Sequence, residues 1–172
     1  FIATRLIKGN RKIKVSLVRY GNVWGSRGSV GPLFKKNRSS GILKITDERM
    51  TRFNMTLDDA VKSTLYAIKN AVGGEIFVKK NYSYRILDVA KAICPKCKIQ
   101  IIGIRQGEKL HEELVSDSDS YNTVDIGDFF VILPNELLLH KKYKHCKKFK
   151  VGTSYNSLNN KFLSVKQLEN QI

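Results

Sequence analysis

Two stretches of this chain combine residue types and spacings that could do chemistry. The first is Val18-Arg-Tyr-Gly-Asn-Val-Trp-Gly-Ser-Arg-Gly-Ser-Val30, where a β-branched run empties into a loop dense in glycine and serine. Gly21, Gly25 and Gly28 let backbone approach a ligand, and the Ser-Val-Gly-Pro that follows begins a helix whose free N–H groups favour an anion. The same spacing also suits an ordinary strand-to-helix connection. The second stretch is Cys94-Pro-Lys-Cys97, half of a zinc knuckle for which His145-Cys146 could supply the other half. Structural zinc wants four ligands at disciplined spacing, and a loop of about fifty residues to a lone His-Cys is poor spacing, so zinc is set aside, and redox activity with it.

The elements that must position these residues come from a chain long enough for one domain with a core, at 172 residues and 42% hydrophobic content. No run approaches the roughly 18 apolar residues of a membrane span, and no secretory signal pattern opens the chain, which points to a cytoplasmic location with no membrane partner. Three cysteines in such a chain predict reduced thiols. The net charge of +16 suggests a polyanionic partner. Outside the dense run 141–150, however, basic residues are spread through every element, and no reader motif for nucleic acid accompanies them. A basic nucleic-acid binder is therefore the weakest of the readings.

Residues 1–8 carry a helical apolar pattern, and Gly9-Asn10 would end that helix. Residues 13–20 read as a buried strand, 30–36 as a short helix, 42–45 as a strand, and 46–53 as a polar loop. Thr56 begins a helix running to about Ala71, with Ala60, Val61, Leu65 and Ile68 as its apolar face. A strand over 75–78 follows. Ser83 then caps a helix over 84–93, whose stripe is Ile86, Leu87, Ala90 and Ile93. Residues 98–104 form an apolar strand, 105–114 a charged loop entering a short helix, and 129–134 a last strand. Ser164 could cap a terminal amphipathic helix.

Three motifs in this order carry a likeness: the loop over 18–30, then Ile45-Thr-Asp-Glu-Arg-Met-Thr-Arg-Phe53, then Gly103-Ile-Arg-Gln-Gly-Glu-Lys-Leu-His-Glu-Glu-Leu114. Together they closely resemble the UDP-N-acetylglucosamine 4,6-dehydratase group of polysaccharide-biosynthesis enzymes, which are extended short-chain dehydrogenase/reductases. The likeness runs to about Pro134 and resumes at Tyr155-Asn-Ser-Leu-Asn-Asn. It implies an α/β fold: the last strands of an NAD(P)-binding Rossmann-type enzyme plus a small α/β substrate-binding subdomain. The predicted organisation is 1–134 for that portion, 135–154 for a solvated basic linker, and 155–172 for a helical tail.

The resemblance also implies an NAD(P)-dependent reaction in which hydride leaves C4 of the sugar, water is eliminated across C5 and C6, and hydride returns to C6. That chemistry uses a glycine-rich cofactor loop and a Tyr-x-x-x-Lys pair. Neither stands here where the family places it, and the pair would fall just upstream of Phe1. Tyr143-Lys-His-Cys-Lys147 fits the pattern literally, but it follows the last family strand and is read as chance. No catalytic residue and no metal ligand is therefore assigned. The chain is expected to be inactive alone and to bind neither NADP nor NAD by itself.

By similarity, Tyr20 and Val23 would face the cofactor, Asn22 would hydrogen-bond the substrate, and Ser29 and Val30 would offer N–H groups to its diphosphate. Arg52 and Arg105 match diphosphate-binding arginines, a role that suits the bidentate, permanently charged guanidinium. Glu108 matches a carboxylate that accepts from the ribose hydroxyls. Gln106 departs from the proline usual between arginine and glycine, which should loosen the loop that aims Arg105. The expected partner is a UDP-sugar, with a separate N-terminal half or a full-length homologue as a candidate for the bare edge of the strand over 13–20. The competing reading is a non-catalytic nucleotide-sugar-binding module or a non-functional remnant.

Overall fold

The computed structural model describes residues 14–138 and 140–172. The helix expected over 1–8 and its Gly9-Asn10 cap lie outside the described residues. The chain divides into two compact units, each assembled from stretches distant in sequence.

One unit joins residues 14–20 to Asp58–Lys80 and Leu114–Tyr155. Its five-stranded sheet runs in the order β1 (Leu17–Arg19), β4 (Ile76–Lys79), β9 (Phe129–Ile132), β8 (Thr123–Asp125), β10 (Lys147–Lys148). Only the β1–β4 pair is parallel. β1 is shorter than the predicted strand and is not buried: among the described residues it has one neighbour, and Leu17 is 39% exposed. Helix α2 (Leu57–Asn70) runs where Thr56 predicts it, but its buried side is Ala60, Ser63 and Ala67. Small residues let the helix approach closely, and Tyr66 stacks on Phe129 at 4.6 Å. Of the predicted apolar face only Ala60 turns inward; Val61, Leu65 and Ile68 are 50%, 59% and 74% exposed.

The same unit holds a buried carboxylate. Glu75 Oε1 accepts from the Val72 N–H at 2.7 Å and the Tyr143 hydroxyl at 2.9 Å. Its Oε2 accepts from the Gly73 N–H at 2.8 Å and the Ser16 hydroxyl at 2.7 Å. Tyr143 is thereby a core residue of the lysine-rich segment, while Lys141, Lys144, Lys147, Lys148 and Lys150 stay exposed. Burial, then the bond to Glu75 and its negative charge, push the Tyr143 phenol up. A buried hydroxyl so held has no access to a substrate, consistent with chance as the origin of its Tyr-x-x-x-Lys spacing.

The other unit joins Gly21–Leu57, Asn81–Glu113 and Asn156–Ile172. β2 (Ile42–Ile45) pairs in parallel with β6 (Lys98–Ile101), and β3 (Thr51–Phe53) pairs antiparallel with β5 (Ser83–Arg85). Helices α1 (Val30–Asn37), α3 (Ile86–Ile93) and α5 (Val165–Glu169) contribute Phe34, Val89, Ala90 and Leu168 to a core with Leu43, Ile45, Met50 and Tyr84. Ser164 caps α5 through a reciprocal bond pair with Gln167, as its position predicts.

Several sequence expectations change here. Part of the predicted polar loop over 46–53 is strand β3, because Thr51 and Phe53 are buried and pair with β5. Ser83 does not cap a helix: it is buried in β5, and α3 starts three residues later behind Arg85. The segment 105–114 enters strand β7 (Glu113–Val115), not a helix, since β7 pairs with β11 (Tyr155–Asn156). The short helix α4 (Asp117–Ser120) follows β7, capped by Ser116 and Asp119. Cys94 and Cys97 are joined by a disulfide, which overturns the expectation of reduced thiols for that pair; Cys146 is free. Among the described residues no cluster of three metal-ligating side chains occurs, and no helix is long and apolar enough to cross a membrane.

Candidate functional site

The unit built on β2, β3 and α1 contains a cleft of about 270 Å³. Its charged lining is Lys44, Arg52, Arg105 and Glu108; its apolar wall includes Phe34, Met50, Tyr84 and Ile86. All six residues assigned to the substrate side, Asn22, Ser29, Val30, Arg52, Arg105 and Glu108, line this one cleft. Val23 lies at a backbone bridge with Met55, and Tyr20, 42% exposed, follows β1.

The anion-facing side follows from the loop over 21–29. Gly28 adopts φ 79°, a left-handed turn that side chains disfavour, and delivers Ser29 to the N-cap of α1. Ser29 makes no capping bond, and its Oγ is buried with no hydrogen-bond partner among the described residues. The first turn of α1 carries no acidic side chain, so its N–H groups keep their positive field. An unpartnered buried hydroxyl beside free helical N–H groups makes a cradle for an anionic oxygen.

The facing side is built around Arg52. Its Nη1 donates to Thr51 O at 2.7 Å and to Leu110 O at 3.1 Å, and its Nη2 contacts Met50 Sδ at 3.1 Å. Glu108 Oε1 lies 3.8 Å from Nη2, and Glu112 Oε1 lies 3.6 Å from Nε. The arginine thus staples the 105–112 segment to β3. The turn before it closes through Glu108 N–H to Arg105 O at 3.0 Å, with Gly107 at φ 78°. Gln106 stands in the turn position that proline prefers, and the turn forms with glutamine there.

Behind the cleft, Thr51 Oγ1 reaches Ser157 Oγ at 2.7 Å and His111 Nδ1 at 2.8 Å. Ser157 also binds the Glu112 backbone in both directions, at 2.9 and 2.8 Å. This network gives Ser157 of the Tyr155-Asn-Ser-Leu-Asn-Asn motif its place. Burial pushes the Glu112 carboxyl up, against the pull of Arg52 and the N–H groups of Phe53 and Asn22. Burial raises the Tyr84 phenol too, with the Glu112 charge adding to it, so Tyr84 stays neutral at physiological pH.

Lys44 and Tyr84 escaped sequence reasoning. Lys44 was detectable as the polar position in the alternating strand Ile42-Leu-Lys-Ile45, whose Leu43 and Ile45 are buried. Tyr84 gave no local signal, because its place depends on β5 pairing with β3.

Residues 1–134 match the family described as polysaccharide biosynthesis protein. The chain is 44% identical over 170 residues to a UDP-N-acetylglucosamine 4,6-dehydratase (inverting) of Campylobacter jejuni subsp. jejuni serotype O:2, covering 93% of this chain and 51% of that protein. It is 38% identical over 176 residues to a UDP-glucose 4-epimerase of Rickettsia canadensis, covering 98% of this chain and 52% of the other. The X-ray structure of Pen from Bacillus thuringiensis superposes with a TM-score of 0.84 at 35% identity, covering 99% of this chain and 55% of that one. The chain spans about half the length of the curated relatives it matches.

Proposed function

The chain belongs to the polysaccharide biosynthesis protein family, and from that premise we propose that it is the substrate-binding portion of a UDP-N-acetylglucosamine 4,6-dehydratase-like enzyme, without turnover of its own. The observation that carries the reading is the convergence of Ser29, Val30, Arg52 and Arg105 on one cleft, with Glu108 and Asn22 beside them. In this reading the α1 N–H groups, the Ser29 hydroxyl and the two arginines receive a diphosphate. Glu108 accepts from ribose hydroxyls, Asn22 contacts the sugar, and the apolar wall takes the flat faces of the nucleotide.

Tyr20 and Val23 belong to the cofactor side of the proposed complete enzyme. Val23 offers an apolar side chain and a backbone already bridged to Met55, and Tyr20 a single exposed phenol. Those two groups do not by themselves fit the phosphates of a dinucleotide, so NAD or NADP is assigned to the complete enzyme. The remaining substrate-side chemistry is binding and orientation of a UDP-sugar in the cytoplasm.

The test is calorimetry with UDP and UDP-N-acetylglucosamine, paired with a dehydration assay of the same sample with NADP. Saturable binding by both ligands without product is the expected result. Product formed by this chain alone would overturn the division of labour. Absence of binding at millimolar ligand would overturn the nucleotide site, leaving the reading of a non-functional remnant.

A further inference from the structure

We propose that Glu112 is a positioning residue that fixes the Arg52 guanidinium and the Asn22 turn relative to each other, so that both address one anionic ligand. Glu112 is not itself part of the cleft lining. It stands behind it, with Oε1 3.6 Å from Arg52 Nε. The N–H groups of Phe53 and Asn22 favour its ionised form, and its Oε2 lies against the Gly21 backbone that precedes Asn22. One side chain thereby touches the strand that carries Arg52 and the loop that carries Asn22.

Three further observations support the assignment. The backbone of Glu112 is strapped to the fully buried Ser157 in both directions, so the carboxylate starts from a fixed root. The chain passes closely over that carboxylate: a Cβ at Gly21 would lie 2.7 Å from Glu112 Oε2 and 3.2 Å from Phe53 Cβ, so an alanine there would push the carboxylate from its place. Glu112 Oε2 is itself buried without a hydrogen-bond partner among the described residues, an unfavourable arrangement of the kind that concentrates at functional sites. The arginine gains a fixed direction from this. With Nη1 held by two carbonyls and Nε facing Glu112, Nη2, which meets Met50 Sδ at 3.1 Å and Glu108 Oε1 at 3.8 Å, is the edge left for a phosphate.

That the anionic ligand is a nucleotide rests on the proposed function, and the experiment separates the two. In the ¹⁵N-labelled chain, the Arg52 Nε–H resonance is assigned by its loss in Arg52→Lys. Glu112→Gln keeps acceptor oxygen and volume but removes the charge, and should shift that resonance and weaken UDP binding about tenfold. Gly21→Ala should weaken UDP binding by a similar factor, roughly tenfold, through the clash. An unmoved Arg52 resonance in Glu112→Gln overturns the proposal whatever the affinity does. A shifted resonance in a chain that never binds UDP upholds the positioning role and overturns the nucleotide reading. The glutamine variant carries the test even if Glu112→Ala fails to fold.

Discussion

Replacing Arg52 by alanine should destabilise the chain by about 3 kcal/mol and abolish measurable UDP binding. The side chain is only 14% exposed, and its removal leaves Leu110 O without this donor and two carboxylates without their cation. Both carboxylates keep some solvent contact, at 27% and 21% side-chain exposure, which places the loss at the lower end for a broken buried pair. Arg52→Lys should recover the charge but not the fork that spans Thr51 O and Leu110 O, so stability should return in part and UDP affinity much less. Urea unfolding followed by circular dichroism, with calorimetry alongside, checks both statements. Arg52→Ala with wild-type stability would contradict the stapling role.

Glu75→Ala should be more damaging still, by about 4 kcal/mol, because four donors converge on a carboxylate with no solvent exposure. Glutamine cannot substitute well. Each carboxylate oxygen accepts one backbone N–H and one hydroxyl, so whichever way the amide turns, its NH₂ meets an N–H that cannot accept from it. Burial pushes the Glu75 carboxyl up, but the Val72 N–H, the Ser16 hydroxyl and the other donors outweigh it and hold the carboxyl below its ordinary range. A depressed folded value stabilises the ionised state. The contribution of Glu75 should therefore be complete above the unfolded value near 4.5 and be lost as pH falls below it. The acid limb of a stability-against-pH curve should be shallower in Glu75→Gln than in the wild type. Identical limbs would contradict the assignment.

Element existence was legible wherever one local signal sufficed. Thr56 with Asp58 and Asp59 marks the start of α2, and Ser164 with Gln167 marks α5. The orientation of α2 was not legible. Helical periodicity says which residues share a face but not which face turns inward, and here the side with Ala60, Ser63 and Ala67 packs while the larger aliphatics point out. Strands β3, β5 and β7 escaped because each has three residues, and pairing with a distant partner sustains it. For the cleft, the glycine loop alone left an anion site and a plain connection equally open. The ordered motifs brought the substrate-side residues together on paper, and the geometry places those six on one lining. Glu112 and Ser157 remained hidden, since nothing local marks a residue that acts through the backbone of another segment.

The strap between Thr51 and Ser157 has a kinetic side. Its two hydroxyls lie 106 positions apart in the chain, and Trp24 in the glycine loop donates to Gln171 O across 147 positions. Closing such long loops draws on chain entropy before any contact returns it, so the cleft has high contact order and should be among the last regions to consolidate. On a ribosome, β3 and the Glu112 segment would emerge well before the serine that pins them. Until residue 157 is made, the Glu112 N–H lacks the acceptor that this structure gives it, and the Thr51 hydroxyl has His111 but not Ser157. The cleft is thus a late product of synthesis, although most of its lining is encoded early.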